Sequence, residues 1–286
     1  VNQYNKAFFF LILTAILWST GGIFIKSISW DSQTLAGMRS LVAAIALLSW
    51  RRTWRVRFSW IMFMGAICYA FTLISFVAAT KLTTAANAIL LQYTAPVYIA
   101  AFGAWFLKEN FHLRDFLTMG LVLTGMVLFF FDKLSTFGTL GNLIAIFSGI
   151  CFGWLILFLR KQKEARPLDT IYLGNILVVL FTLPFMRDIA IQPGNWTLIT
   201  IMGGFQIALP YILYASAIRH IRAIEVILIT ALEPILNPLW VFIFVGERPG
   251  PWAIFGGLIV MGSILMHQII GKTHFPKEFK KTKPLA

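Results

Sequence analysis

The chain has 286 residues, of which 59% are hydrophobic and only 12% charged, about half the charged share of an ordinary soluble domain. A soluble domain of this length needs a charged, mixed surface, so the composition excludes a soluble enzyme and a disordered chain and points to a polytopic membrane protein. Twenty-four Lys and Arg against 11 Asp and Glu give a net charge of +13, which in a membrane protein reads as basic loops on one side rather than as a nucleic-acid surface.

A helix needs roughly 20 apolar residues to cross about 30 Å of hydrocarbon. Ten apolar runs near that length follow one another, at 7–27, 33–50, 58–80, 84–107, 113–131, 138–159, 168–186, 196–218, 223–245 and 251–270. The first resembles a secretory leader only in position. It is too long for one and lacks an Ala-x-Ala cleavage pattern, so it is predicted as a span. Gly21-Gly22 is predicted to break that helix early. The segment from Gly271 is polar and basic, with Pro276 and Pro284, and reads as a flexible tail near anionic lipid.

With ten spans and a cytoplasmic N-terminus, 18 of the basic residues fall on the inner side and 5 on the outer, leaving Arg39 inside the second span. That asymmetry predicts both termini in the cytoplasm; the expected location is a bacterial inner membrane. Gly271-Lys272-Thr273 superficially matches the end of a phosphate-binding loop, but Met266 stands where its first glycine belongs, so no ATP-driven pump is predicted. Cys68 and Cys151 lie in apolar runs and read as packing residues. His112, His220, His267 and His274 are scattered without metal-ligand spacing. No metal, cofactor or catalytic group is predicted, and Asn195-Trp196-Thr197 fits a glycosylation sequon on the outer side.

An internal repeat is the most informative pattern. A shift of 138 residues lays Pro96 on Pro234 and Glu109 on Glu247, with Ala85, Ile89, Leu90 and Phe106 on Ala223, Ile227, Leu228 and Phe244. Gly65, Ala79 and Lys81 meet Gly203, Ala217 and Arg219. The shift maps span 4 onto span 9, so each half holds five spans. An odd number forces the halves to enter the membrane in opposite directions, an architecture of transporters with a midplane site. The predicted fold is all-α: ten transmembrane helices in two inverted five-helix repeats, residues 1–133 and 134–271, followed by a basic cytoplasmic tail, 272–286.

The segment Ala85 to Glu109 (AANAILLQYTAPVYIAAFGAWFLKE), its counterpart Ala223 to Glu247 (AIEVILITALEPILNPLWVFIFVGE), Trp18-Ser19 and Arg39 resemble the EamA family of the drug/metabolite transporter superfamily. The resemblance covers all but the tail. It implies ten spans and ATP-independent movement of small metabolites such as amino acids, often outward. Related families with the same fold carry larger or cationic cargo, such as nucleotide sugars or S-adenosylmethionine. A phosphate-bearing ligand would want several basic groups in the cavity, and only Arg39 lies within a span.

A charged side chain at mid-membrane costs about 2.5–3.5 kcal/mol on insertion scales, so each needs a partner or a job. Arg39 is either an anchor for a substrate carboxylate or a structural tie to a carboxylate or to helix-end carbonyls; the resemblance, in which an arginine recurs here across substrates, favours the tie. Glu233, before the kinking Pro234 and four residues ahead of Asn237, reads as a proton-coupling group, a ligand for an ammonium group, or a partner of Arg39. Glu225 is the second proton-coupling candidate, or else a local ion pair with Arg222; its repeat counterpart is Asn87. Glu109 and Glu247 end spans 4 and 9, where a negative charge is unfavourable for the helix dipole, so the following helix N-terminus or Arg114 and Arg248 are expected to hold them.

Pro96 and Pro234 are the expected hinges. Trp18, Ser19, Tyr69, Asn87, Gln92, Tyr93, Trp154, Gln206, Tyr211 and Tyr214 complete the expected substrate-binding set, joined by Glu225 and Glu233. Aromatic walls of this kind suit an aromatic side chain or an organic cation. Gly149-x-x-x-Gly153, Gly120 and Gly125 are expected to allow close helix contact. The expected partners are a small-molecule substrate, the lipid bilayer and, as coupling ion, the proton. A membrane-embedded enzyme or assembly subunit is the non-transport alternative, and it would need catalytic groups clustered at one depth.

Overall fold

The computed structural model describes residues 3–109, 111–131, 138–187, 193–236, 240 and 250–273, and every regular element among them is helical. The helices are α1 (Gln3–Trp18), α2 (Gly21–Ser27), α3 (Ser32–Arg51), α4 (Trp60–Leu82), α5 (Ala85–Gln92), α6 (Ala95–Leu107), α7 (Leu113–Phe130) and α8 (Thr139–Lys161). Then follow α9 (Pro167–Thr182), α10 (Pro193–Ile201), α11 (Leu209–Ala217), α12 (Ala223–Thr230) and α13 (Pro251–Thr273). Among the described residues, seven helical stretches are long and apolar enough to cross a membrane: Gln3–Ser27, Trp60–Leu82, Ala85–Leu107, Leu113–Phe130, Thr139–Lys161, Pro167–Phe185 and Gly194–Ala217. In α13 the apolar stretch Pro251–His267 is shorter. Helix α3 is as long as the others but carries Arg39. Asn237, Glu247, Arg248 and the segment 274–286 lie outside the described residues.

Polar residues at the ends of the runs explain where helices start. The Asp31 carboxylate accepts from the N–H groups of Gln33 and Thr34 at 2.9 and 3.0 Å, the Ser59 hydroxyl from Met62 at 3.1 Å, and the Thr84 hydroxyl from Asn87 at 3.0 Å. Each satisfies a donor that the first helical turn leaves free. Pro167 opens α9, where its missing N–H costs nothing.

Several helices are interrupted, and the interruptions lie near one another in the fold. The first run breaks at Ser19-Thr20, just before Gly21-Gly22, where both hydroxyls bond back to the carbonyls of Ile16 and Leu17. The fourth breaks at Tyr93-Thr94, between α5 and α6. The ninth breaks at Ala231, between α12 and helical residues 232–236. Between α10 and α11, Met202–Ala208 forms a π-helical turn.

Small residues set the closest helix contacts, which leave no room for an added methyl group. A Cβ on Gly149 would lie 2.8 Å from the Gln92 carbonyl oxygen, and one on Gly153 would lie 3.1 Å from that of Ala95. Gly125 packs against α13 in the same way. Gly120 does not: it faces open space, so its expected packing role is corrected.

Helices α7 and α13 approach most closely at Gly256, where an added methyl group would strike the Phe129 N–H and the Gly125 carbonyl. At Gly257 the same methyl would find ordinary contacts at 3.4–3.5 Å. Gly256→Ala should therefore destabilise the purified protein by about 1–3 kcal/mol through overpacking. Gly257→Ala should be neutral or gain up to about 1 kcal/mol from helix propensity. Thermal unfolding in detergent checks both; equal melting temperatures for the two variants would contradict this packing.

Candidate functional site

The interrupted helices meet at a cavity lined by Trp18, Arg39, Thr72, Leu73, Phe76, Gln92, Phe152, Gln206, Ile207, Tyr211 and Glu233. Its volume is about 50 Å³. Small-molecule sites usually enclose about 300–1,000 Å³, so the lining helices must separate to admit a metabolite. One wall is aromatic. The Trp18 ring centre lies 5.0 Å from that of Tyr211, 5.4 Å from Tyr214 and 6.1 Å from Phe152, and Tyr69 meets Tyr211 edge-on at 4.9 Å.

Arg39 is 1% exposed. No carboxylate among the described residues lies within ion-pair distance of it, and its Nε has no hydrogen-bond partner. Glu233 lines the same cavity without pairing with it, so the expected Arg39–Glu233 ion pair does not form among the described contacts. Gln206 Oε1 and Tyr214 Oη also lack partners. Buried polar groups are nearly always satisfied, so unmet groups on Arg39 and Gln206 at one small cavity, with Tyr214 nearby, are unusual.

The π-helical turn places Gln206. It drives the amide toward Gly21, where a methyl group would collide with Gln206 Nε2, and it presses Gly203 onto α3 so closely that a Cβ there would lie 2.7 Å from the Arg39 carbonyl oxygen. Such single π turns are frequent at functional sites.

Tyr93 joins two interrupted helices. In an unbroken helix the Thr230 carbonyl would accept from residue 234, but Pro234 has no N–H. The Tyr93 hydroxyl fills that place, 2.7 Å from the Thr230 oxygen, and also lies 2.8 Å from Glu233 Oε2. A phenol carries one proton. With the Tyr93 proton on the Thr230 carbonyl, the contact to Glu233 needs a proton from the carboxylic acid. With Glu233 ionised, the phenol turns to the carboxylate, the stronger acceptor, and the backbone carbonyl loses its partner.

The other predicted site residues lie around this centre. Tyr69 accepts from Asn175 Nδ2 at 2.8 Å. Gln92 donates to the Ser148 hydroxyl at 2.8 Å, which donates to the Thr72 carbonyl at 3.0 Å. Ser19 accepts from Trp240 Nε1 at 2.7 Å. Pro96 and Pro234 sit just past the breaks at Tyr93-Thr94 and Ala231. Of the predicted substrate-binding set only Trp18, Gln92, Gln206, Tyr211 and Glu233 line the cavity; Ser19, Tyr69, Tyr93 and Tyr214 adjoin residues that do, and three lie farther from it. Trp154 stacks on Phe102 at 5.1 Å and meets Phe106 and Phe158. Asn87 and Thr83 share the Asn142 side chain, at 3.0 and 2.8 Å. Glu225 pairs with Arg222 at 2.6 Å and accepts from Tyr4 at 2.9 Å.

That last pair belongs to an ionic network at the face carrying the N-terminus. Arg222 also binds Asp115 through two nitrogens, each at 3.0 Å. Burial opposes its charge, yet Asp115 and Glu225 hold Arg222 above its ordinary pKa, so it stays protonated. Glu109 was expected to hold the following helix or Arg114. It instead pairs with Arg160 at 2.6 Å and accepts from the Ala223 N–H at 3.2 Å, capping α12. Arg160 donates to the carbonyls of Ile218 and Arg219 at 2.7 and 3.0 Å, so the pair clamps the link between α11 and α12. Phe152, Thr72 and Asn175 were missed. Asn175 alone carried a signal, as a lone amide inside an apolar run.

The EamA-like transporter family model matches residues 5–131 and again 139–267. An uncharacterized transporter of Archaeoglobus fulgidus is 24% identical over 261 residues, 90% of this chain and 94% of the relative. The uncharacterized transporter YdfC of Bacillus subtilis is 25% identical over 263 residues, 87% of this chain and 86% of its own. A solved crystal structure has the same fold, with a TM-score of 0.80 over 93% of this chain and 98% of its own at 15% identity.

The clamp can be tested directly. Glu109→Gln leaves a buried guanidinium without its counter-charge and should cost about 3–5 kcal/mol. Arg160→Lys should not restore stability, because one ammonium cannot reach a carboxylate and two carbonyls in the guanidinium's planar geometry. Melting temperatures in detergent measure both, and a wild-type value for Glu109→Gln would show that the clamp holds nothing.

Proposed function

This chain belongs to the EamA-like transporter family, and we propose that it is an ATP-independent secondary transporter of small zwitterionic metabolites, amino acids above all, working outward by alternating access. The single observation that carries the substrate class is the pair of opposite groups facing one cavity without touching: the buried guanidinium of Arg39 and the carboxyl group of Glu233. An α-amino acid presents a carboxylate to the first and an ammonium to the second. The wall of Trp18, Tyr211 and Phe152 suits an apolar or aromatic side chain.

Proton coupling follows from competition for one carboxylate. Ionised Glu233 holds the ammonium group. Protonated Glu233 donates to Tyr93, returns the phenol proton to the Thr230 carbonyl and releases the substrate. Glu225 is the weaker candidate, because Arg222 and Tyr4 already engage it.

Ten spans in two inverted halves, 1–133 and 134–271, are the architecture in which this works. Two observations support the division. The family model matches the chain twice, and the breaks at residues 93 and 231 are related by the 138-residue shift of the repeat. The surplus of basic residues supports cytoplasmic termini. The ionic network on the N-terminal face then closes the inner side, and its pairs must part for the cavity to open inward.

Binding to purified protein, read by thermal shift, tests the substrate class with a neutral amino acid, its amide and its decarboxylated amine. The amino acid should stabilise the wild type most. Arg39→Gln should weaken it about 10- to 100-fold, the worth of roughly 1.5–3 kcal/mol for a hydrogen bond to a charged group. The amine alone binding as tightly as the amino acid would mean a cationic substrate and would sink the zwitterion reading. In proteoliposomes under an imposed pH gradient, Glu233→Gln, which lacks the carboxylate that holds the ammonium group, should transport more slowly, and what transport remains should not respond to pH. An unchanged pH dependence would assign coupling elsewhere.

A further inference from the structure

A second cavity, about 490 Å³, opens at the N-terminal face between α1, α11 and the adjoining ends of α3 and α9. No residue lines both this groove and the central cavity. Its two ends differ in chemistry. One is apolar, formed by Phe10, Leu209, Ile212 and Leu213. The other carries three guanidinium groups, Arg51, Arg166 and Arg219, against the single carboxylate of Asp169.

The charges do not cancel. Arg51 Nε and Nη2 bind Asp169 Oδ1 at 3.2 and 2.8 Å, so this pair is neutral. The Arg51 side chain is 5% exposed, its guanidinium lies over the Tyr172 ring at 4.4 Å, and its Nη1 has no hydrogen-bond partner. Arg219 spends Nε on the Lys163 carbonyl at 2.8 Å, which leaves its terminal nitrogens to the groove. Arg166 and Arg219, both exposed, therefore add two positive charges beside a buried guanidinium with an unmet donor.

Length separates a lipid from a free anion. Leu209 lies ten residues before Arg219, about 15 Å along a helix at 1.5 Å per residue. The groove thus runs from a basic helix end toward the middle of an apolar span. A free anion would use only the rim. A phosphate carrying an acyl chain would use both ends, and Trp50, exposed at the mouth, is the kind of aromatic residue that sits at a membrane–water boundary.

We propose that this groove is a binding site for one anionic phospholipid, its phosphate at Arg51, Arg166 and Arg219 and an acyl chain along Phe10, Leu209, Ile212 and Leu213. The lipid sits across the seam between α1–α11 and α3–α9. It is placed to stabilise one arrangement of these helices.

The test uses delipidated full-length protein in detergent, titrated with phosphatidylglycerol, phosphatidylcholine or inorganic phosphate, and read by native mass spectrometry and thermal shift. The wild type should retain one phosphatidylglycerol roughly tenfold or more tightly than phosphatidylcholine, as two surface arginines allow. The Arg166→Gln/Arg219→Gln variant should lose that preference while keeping its lipid-free melting temperature. The Arg52→Gln/Arg57→Gln variant, altered on exposed basic residues next to the groove, should keep it. Ile212→Asn should weaken both lipids. Equal loss in the two arginine variants would mean a diffuse basic face. Equal protection by inorganic phosphate would mean a site for a free anion. Either result overturns the proposal.

Discussion

Pro234 cannot donate a hydrogen bond, and the site is organised around the carbonyl this leaves free. Thr230 is buried in an apolar span, where an unpaired backbone carbonyl has no water to turn to. Tyr93 supplies the missing donor from another helix, at the point where that helix is itself broken. One phenol therefore ties the two interruptions together. Glu233, one turn beyond Thr230, shares the same phenol, so the state of one carboxyl group and the integrity of one helix are joined by a single proton.

A network of mutually paired charges at the N-terminal face contrasts with unmet polar groups at the centre. At the N-terminal face Asp115, Arg222, Glu225, Glu109 and Arg160 satisfy one another and the helix ends around them. At the cavity Arg39 and Gln206 keep unmet polar atoms in a space far too small for a metabolite, and the unpartnered Tyr214 hydroxyl lies on the ring packed against Trp18. Burying an unpaired guanidinium is expensive, and on the proposed reading a substrate carboxylate offsets that cost. On the proposed alternating-access reading, the network and the cavity belong to one closed arrangement, and opening it requires work against the ion pairs.

The helical class and the membrane setting were legible from apolar run length, and the breaks near Pro96 and Pro234 from proline chemistry alone. Arg39 and Glu233 stood out because charge is rare in these runs. Partnerships were harder to read. Glu109 lies five residues before Arg114 but reaches α12, 114 residues on, since a helix-end carboxylate is held by whichever N-terminus the packing brings near. Trp154 and Trp18 occupy similar positions in their runs, yet only Trp18 faces the cavity; which face a residue presents depends on helix rotation, and apolar-all-round helices carry little periodicity to reveal it. Phe152 and Thr72 looked like any other span residues. The π-helical turn at Met202–Ala208 had no sequence signal, and without it Gln206 would point elsewhere.

Infrared difference spectroscopy tests the proton shared by Tyr93 most directly. Protein with its threonine carbonyls labelled with carbon-13 would be compared in acid and alkaline buffer, alongside Glu233→Gln and Tyr93→Phe. The wild type should lose a protonated-carboxyl band on alkalinisation while one labelled threonine carbonyl shifts to a weaker hydrogen bond, and both variants should lack the coupled shift. A threonine carbonyl band that stays fixed while the Glu233 carboxyl ionises would contradict the shared proton.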